Sequence, residues 1–389
     1  MNQPALCYFD YNATTRVAPE VLEAMLPCLR EHWGNPSSAY GFGHEAARRL
    51  DEARARVAAL LNADPQEIVF TSGGTESINA ALHSALATRP ERRHVVTTAV
   101  EHSAVLKFCH FLEKQGCAVT VLPVAADGAL DLALLENSIR PDTAIVSAMC
   151  ANNETGVLFP MAEIAALCRS KGVLCHTDAV QAPGKVKLDV KELGVDFVSL
   201  SAHKLHGPKG IGLLYVKRHT RYQPYILGGH QERGRRGGTE NVAGIVGFGR
   251  AAELALGNLA EENTRVRALR DRLEAGVLAG IAGTTRNGAP EPRLPNTANL
   301  AFEGVEAEGL LLLLDQAGVC ASSGSACTTG ALEPSHVLTA MGQSAACARS
   351  SIRFSLGVYN TAAEVDYLLQ CLPGIVAKLR GGPAGPALP

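Results

Sequence analysis

Between residues 45 and 250 helical stretches alternate with short apolar runs, and no other feature constrains the fold as tightly. Segments such as HEAARRLDEARARVAALL and MAEIAALCRSKG separate the runs EIVF (67–70), HVVTTA (94–99), AVTVLPV (118–124), TAIVSAM (143–149), VLCHT (173–177), DFVSL (196–200) and GIGLLYV (210–216). Apolar runs this short, each followed by an amphipathic helix, bury both faces only as strands covered by helices. The pattern therefore predicts an α/β layer with a mostly parallel sheet. After about residue 258 the alternation stops. A charged helical stretch, EENTRVRALRDRLEAGVLAGI, leads into TANLAFE and SIRFSLG, the pattern of a smaller α+β unit. The expected division is a large domain over residues 17–258 and a small domain formed by residues 1–16 and 259–389.

Polar residues fall at the ends of those runs. TSGGTE follows EIVF, VEHSAV follows HVVTTA, CANNETG follows TAIVSAM, DAVQ follows VLCHT, and SAHKLHGPKG follows DFVSL. In a parallel sheet the carboxyl ends share one edge, where open α/β folds bind ligands. Five such clusters predict a site.

The first cluster, TSGGTESINAALHSAL (71–86), is a Gly-rich turn opening a helix. Free N–H groups and the helix dipole suit a phosphate there, with Gly73 and Gly74 letting the backbone approach and Thr75 offering a hydroxyl. An ordinary capping turn reads the same way. The segment matches neither GxGxxG nor GxxxxGK[ST], which weakens nicotinamide and nucleotide readings. Lys204 follows an apolar strand among small residues and histidines; it is either a solvated strand end or a Schiff-base lysine, whose amine loses its proton readily when desolvated. Asp178 lies about one strand away, where a carboxylate can pair with a pyridinium nitrogen. Together, phosphate turn, lysine and acid meet the protein-side needs of pyridoxal phosphate. His102 can stack on a ring or move protons, or serve as a satisfied loop histidine.

Composition narrows the alternatives. Of 389 residues 47% are hydrophobic and 19% charged, a globular balance, and a net charge of −2 provides no field for nucleic acid or anionic lipid. Arg233, Arg235 and Arg236 lie among glycines without interleaved aromatics, so no nucleic-acid partner is expected. No apolar stretch is long enough for a membrane span, and MNQPALCYFDYN lacks the pattern of a signal peptide. Eleven cysteines without framework spacing suit a reducing, cytoplasmic setting. Cys168, Cys175 and His176 come nearest to a metal cluster, but they fall in a helical pattern and a strand and lack paired spacing, so no metal is expected. The tail GGPAGPALP predicts disorder, with no longer extension for docking a partner.

One cysteine stands apart. Cys327 lies in ASSGSACTTG (321–330) with nothing bulky beside it. Buried structural cysteines sit among aliphatic neighbours. This stretch reads as a mobile loop carrying a reactive thiol.

The stretches YNATTRVAPEV, GNPSS, EIVFTSGGTES, VEHSAVL, NNETGVLFP, HTDAVQAPGKV, SAHKLHGPKGIG, GGHQERGRRGGTEN, ASSGSACTTGALEPSHVL and SIRFSLG resemble the cysteine desulfurases of the NifS/IscS family, with the class V aminotransferase fold. The resemblance runs from residue 9 to about 357. HQERGRRGGTEN, RLPNTANLAF and NATTRV look most like the nitrogen-fixation branch. It implies the aspartate aminotransferase-like fold of pyridoxal-phosphate enzymes. It also implies that L-cysteine is converted to L-alanine with a persulfide on Cys327. The sulfur would pass to an iron–sulfur scaffold protein, and the nitrogen-fixation likeness implies nitrogenase cluster assembly.

By the same resemblance Lys204 would hold the cofactor and move the substrate's Cα proton. Thr75, Gly74, Ser201 and His203 would bind its phosphate. Asp178 would pair with the ring nitrogen, Gln181 with the phenolic oxygen, and His102 would stack on the ring. Asn153 would contact ring or substrate, and Arg353 would clamp the substrate carboxylate. Thr239 would reach the phosphate of the neighbouring subunit of a homodimer. Cys7, Cys28, Cys109, Cys117, Cys150, Cys168, Cys175, Cys320, Cys347 and Cys371 are read as packing residues. Of three rival readings, Cys327 argues against a class V aminotransferase, which needs no loop thiol, and intact Lys204, Asp178, His102 and Cys327 argue against a catalytically silent scaffold, which needs none of them. An enzyme preferring selenocysteine stays open, since it would use the same lysine and arginine.

Overall fold

The structure is a computed structural model that describes residues 6–324 and 334–381. Its strands, in chain order, are β1 (Cys7–Tyr8), β2 (Ile68–Thr71), β3 (His94–Thr98), β4 (Ala118–Leu122), β5 (Thr143–Ser147), β6 (Leu174–Asp178), β7 (Phe197–Ser201), β8 (Gly212–Val216), β9 (Thr284–Arg286), β10 (Thr297–Phe302), β11 (Val319–Cys320) and β12 (Ser351–Ser355). Seven of them form the main sheet in the order β2-β8-β7-β6-β5-β3-β4. β8 is antiparallel to both β2 and β7, and the remaining pairings are parallel. The expected mostly parallel sheet is therefore present, with β8 alone running back. That reversal keeps the carboxyl ends of β2, β3, β5, β6 and β7 on one edge, and β8 starts at that edge, just past Lys204.

Each central strand is buried on both faces, and the pleat divides its side chains between two cores. Val96, Val146, Cys175 and Val198 enter one apolar cluster with Val57, Ile164 and Phe248 from helices Gly41–Leu60, Met161–Ser170 and Val242–Glu261. Their chain neighbours Val95, Ile145, Leu174 and Phe197 enter the other, with Ile78, Leu82, Val105 and Phe108 from helices Gly74–Ala87 and Ser103–Lys114. The edge strand β4 is the partly exposed one, as an edge position allows.

The C-terminal part has its own core. β10 lies between β9 and β12, antiparallel to both, and β1 pairs in parallel with β11. Cys7 and Phe9 pack there with Leu273, Leu300, Phe354 and Leu368, so the N-terminal segment is built into this unit. Helix Val242–Glu261 does not end where the sequence pattern changes, near residue 258. It continues through a π-helical turn, Glu262–Val266, into helix Arg267–Gly280. The change from small apolar to charged residues marks what the helix packs against, not where it stops. Among the described residues no helix is long and apolar enough to cross a membrane.

Candidate active site

At the carboxyl end of β2 the chain turns through Ser72 and Gly73 into helix Gly74–Ala87. The N-cap is Gly73, which makes no side-chain cap bond, so among the described residues the first amide groups stay open for an anion. Two glycines make this turn fit. A Cβ on Gly74 would lie 2.8 Å from Val180 Cγ2, and one on Gly212 would lie 2.6 Å from both Gly73 Cα and Leu200 O. The pocket here is walled by Thr14, Thr75, Ser201, His203 and Lys209. Glu76, in the first turn, does not oppose an anion, because Arg236 holds it with Nε at 2.9 Å and Nη2 at 3.1 Å. His203 shares a hydrogen bond of 3.0 Å with Thr14 Oγ1. Burial, with Lys204 and Lys209 nearby, pushes its pKa down to about 4, so it is a neutral ring.

Asp178 closes β6 and is buried. Val180 N–H donates to Oδ1 at 3.0 Å, and among the described residues no other donor reaches the carboxylate. Desolvation raises its pKa, against the pull of His102, the Val180 amide and Lys204. An added cation at its open side would be stabilised. Lys204 sits in the short helical turn Ala202–Lys204 that follows β7. Its Nζ donates to Asn12 O at 2.5 Å and to Ala13 O at 2.7 Å. Desolvation, then the charges of Arg353 and Lys185, lower its pKa to about 7. Near neutral pH it is an amine as often as an ammonium.

His102 caps the helix after β3: its Nδ1 accepts from Ala104 N–H at 3.1 Å, which leaves Nε2 to carry the proton of the neutral ring. The residue is exposed, yet surrounding protein desolvates the ring and lowers its pKa, with Lys204 and His336 acting the same way and Asp178 opposing. Gln181 donates through Nε2 to Asn12 O at 2.9 Å. Arg353, buried in β12, gives Nη1 to Asn153 O at 3.0 Å and Nη2 to Asp10 Oδ1 at 2.6 Å, while its Nε has no partner among the described residues. The sheet thus gathers Thr75, Gly74, Asp178, Gln181, Ser201, His203, Lys204 and His102 at one edge, with Arg353 and Asn153 joined to them through Asn12. Thr239 is exposed and does not line the pocket at Gly74. Cys327 lies outside the described residues.

Several side chains here have no counterpart in the sequence reading. Glu101 is fully buried; its Oε1 accepts from Thr98 Oγ1 and Met149 N–H, both at 2.8 Å, tying the ends of β3 and β5 together. Burial pushes its pKa up to about 8. Lys185 is buried, with Nζ 3.2 Å from Gln181 O and 3.3 Å from its Oε1. That contact fixes which way the Gln181 amide faces. Buried Glu154 accepts from Ser335 Oγ at the far stem of the Cys327 segment. The available signal was an acid directly before His102 and one directly after Asn153, both inside strand-end clusters. His176 is not part of a metal set: it bonds Ser147 Oγ at 2.8 Å and Ser199 Oγ at 2.9 Å within the sheet. Of the cysteines read as packing residues, Cys117, Cys320 and Cys347 are only partly buried.

An open helix N-terminus, a carboxylate with a free side, a lysine near half-deprotonation and an Arg with an orphaned buried Nε form a donor set that fits a phosphorylated pyridine aldehyde and an amino-acid carboxylate.

The class-V aminotransferase family profile matches residues 7–368. A cysteine desulfurase of Trichormus variabilis is 53% identical over 376 residues, covering 97% of this chain and 94% of that protein. The cysteine desulfurase NifS of Azotobacter vinelandii is 53% identical over 374 residues, 96% of this chain and 93% of that protein. A solved structure described as a NifS-like protein superposes with a TM-score of 0.90 at 41% identity, covering 96% of this chain and 100% of the other.

Proposed function

Since the chain belongs to the class-V aminotransferase family, and its relatives include cysteine desulfurases, we propose that the strand-end residues described above carry out the conversion of L-cysteine to L-alanine with transfer of sulfur to Cys327. The enzyme is pyridoxal-phosphate-dependent and donates sulfur taken from L-cysteine. Bound here, the cofactor supplies a conjugated sink for the electron pair of a bond broken at the substrate Cα.

Each residue has a defined task in this reading. The amides of helix Gly74–Ala87, with Thr75, Ser201 and His203, hold the phosphate. Asp178 balances positive charge at the ring nitrogen, Gln181 donates to the phenolic oxygen, and His102 stacks on the ring face. Arg353 binds the substrate carboxylate beside Asn153, which fixes where the Cα–H bond points. The neutral amine of Lys204 takes the Cα proton onto Nζ and later returns one to carbon. The Cys327 thiolate then attacks the substrate sulfur: an S–S bond forms, the Cβ–S bond breaks, and its electron pair stays with carbon, which is protonated to give alanine.

The finer assignments rest on likeness. Similarity to the Azotobacter vinelandii NifS supports a role in nitrogenase cluster assembly, with an iron–sulfur scaffold protein as acceptor, in the cytoplasm. A homodimer is supported by exposed Thr239, which in this reading completes the neighbouring subunit's phosphate site, and by apolar side chains left outside, with Trp33 70% and Leu227 76% exposed. Deletion of the gene should stop diazotrophic growth and spare general iron–sulfur maturation; the reverse result removes the nitrogenase assignment.

The observation that carries the reading is the convergence of Lys204, Asp178 and His102 at one sheet edge, in electrostatic reach of one another. The test is release of alanine and sulfide from L-cysteine with a reductant, in wild type and Cys327→Ala, with the visible absorbance of the cofactor followed in both. Turnover in the wild type alone, with cofactor retained in both, supports the persulfide route. Equal turnover in both proteins removes Cys327 from the chemistry.

A further inference from the structure

Asn12 is 1% exposed, and every polar atom it has is engaged. Its N–H donates to Ser355 Oγ at 2.9 Å. Its Nδ2 donates to Thr297 Oγ1 at 2.9 Å and to Asn153 O at 3.2 Å, and its Oδ1 accepts from Asn296 Nδ2 at 3.1 Å. Its carbonyl oxygen accepts from Gln181 Nε2 at 2.9 Å and from Lys204 Nζ at 2.5 Å. The next carbonyl, Ala13 O, takes a second bond from the same Nζ at 2.7 Å. Thr15, two residues on, is pinned by its N–H and its hydroxyl to His203 O, both at 3.0 Å. The segment whose two carbonyls meet Lys204 is therefore held on both sides, by Asn296, by Thr297 of β10 and Ser355 of β12 at Asn12, and by His203 at Thr15.

From this geometry we infer that the Asn12 and Ala13 carbonyls form a berth that aims the free amine of Lys204 during proton transfer, with Asn12 as the positioning residue. A neutral primary amine has two N–H bonds and one lone pair. Two carbonyl acceptors engage both N–H bonds and leave the lone pair as the one valence free to accept a proton. When the substrate Cα–H bond breaks, its proton forms the third N–H bond on Nζ, its electron pair stays on the substrate side, and the two carbonyls now face an ammonium, whose hydrogen bonds are stronger. The berth stabilises the amine more after it gains the proton than before, which is the differential binding that lowers a barrier. Because Asn12 is held from the C-terminal unit, the aim of the lysine depends on how that unit sits against the main sheet.

The inference rests on the assignment of Lys204 as the residue that moves the Cα proton, and the experiment separates the two. Asn12→Ala removes the side chain that fixes the berth; Thr297→Val removes one of its acceptors more gently and serves if the first variant melts early. The full-length apoprotein labelled with 13C and 15N at lysine Cε and Nζ shows the Lys204 Nζ signal, assigned by its absence in Lys204→Arg. In the holoenzyme, exchange of the Cα hydrogen of L-alanine with deuterated solvent reads the proton step. A restrained Lys204 signal in the wild type is expected to broaden and shift in the variants. Exchange at saturating L-alanine should slow by about tenfold to a hundredfold, with the dissociation constant of L-alanine changed by less than about threefold.

An unchanged Lys204 signal in a folded variant, or a changed signal with unchanged exchange, overturns the berth. Exchange that persists in Lys204→Ala instead overturns the assignment beneath it.

Discussion

Arg353 Nη2 lies 2.6 Å from Asp10 Oδ1, across 343 residues of sequence. With Nη1 on Asn153 O and Nε without a partner among the described residues, the guanidinium is anchored on one side and open on the other. A planar fork can serve Asp10 and an incoming carboxylate together; an ammonium cannot hold both in one plane. Arg353→Lys is expected to lose a charge-assisted hydrogen bond worth about 1.5–3 kcal/mol, which is about tenfold to a hundredfold in KM for L-cysteine, with a smaller change in kcat. Steady-state alanine formation measures it. A KM equal to that of the wild type would mean that the substrate carboxylate binds elsewhere.

The lowered pKa of Lys204 has a named cause that can be altered. Burial acts first, and the Arg353 charge is the largest of its neighbours. In the apoprotein, acetylation of Lys204 followed by mass spectrometry should reach half its maximum rate near the pKa of about 7, whereas solvated lysines titrate near about 10.4. Removing a positive neighbour stabilises the ammonium, so Arg353→Met should move the midpoint upward. A midpoint that stays put or falls contradicts that electrostatic account.

Most of the main sheet and its edge are legible in the sequence, because a strand buried on both faces writes an unbroken apolar run and a turn at its end writes polar and Gly residues. The strand-end positions of Lys204, Asp178, His102 and the Gly74 turn follow from that rule, whereas the tasks proposed for them come from the family resemblance. The reversal of β8 is not legible: GIGLLYV is apolar on both faces whichever way it runs. The helix through residue 258 is hidden for a related reason, since helical periodicity continues while its partner changes. Asn12 is the clearest loss. Its partners Thr297, Asn296 and Ser355 lie 284 to 343 residues away, and a single Asn near a turn carries no sign of them. Lys185, in APGKV, has no place in the sequence reading; its burial against Gln181 gives it one.

The close approach at the phosphate turn is testable through one methyl group. A Cβ on Gly74 would meet Val180 Cγ2 at 2.8 Å, two residues beyond Asp178, whereas a Cβ on Gly41 would meet nothing within 4 Å. Overpacking of this kind costs about 1–3 kcal/mol. Gly74→Ala should weaken pyridoxal phosphate binding to the apoprotein by about tenfold or more, read by absorbance titration, while Gly41→Ala should match the wild type. Equal affinities in all three would show that the turn has slack and that the helix N-terminus does not set cofactor affinity.

The segment leading to Thr239 is fastened by a buried ion pair at the edge of the sheet. Arg54 gives Nη2 to Glu232 Oε1 at 2.6 Å and Nη1 to Glu232 Oε2 at 3.0 Å, and Glu232 Oε2 also accepts from Phe70 N–H at 2.9 Å. Arg54 Nη1 donates to Ile68 O at 2.9 Å as well. The pair thus covers backbone groups of β2 that face no further strand, which is how an open edge is closed without another ladder. Glu232 and Arg233 hold left-handed backbone, with φ of 47° and 57°, a conformation that persists only where surrounding contacts impose it. Removing one partner leaves the other charge buried, so Arg54→Met and Glu232→Leu should each destabilise the protein by about 3–5 kcal/mol in urea unfolding. Their combination should cost clearly less than the sum, because no charge is then stranded. Limited proteolysis should cut residues 228–241 faster in the single variants. Additive costs, or losses below about 1 kcal/mol, would place the pair in solvent rather than in the core and leave the loop conformation to other contacts.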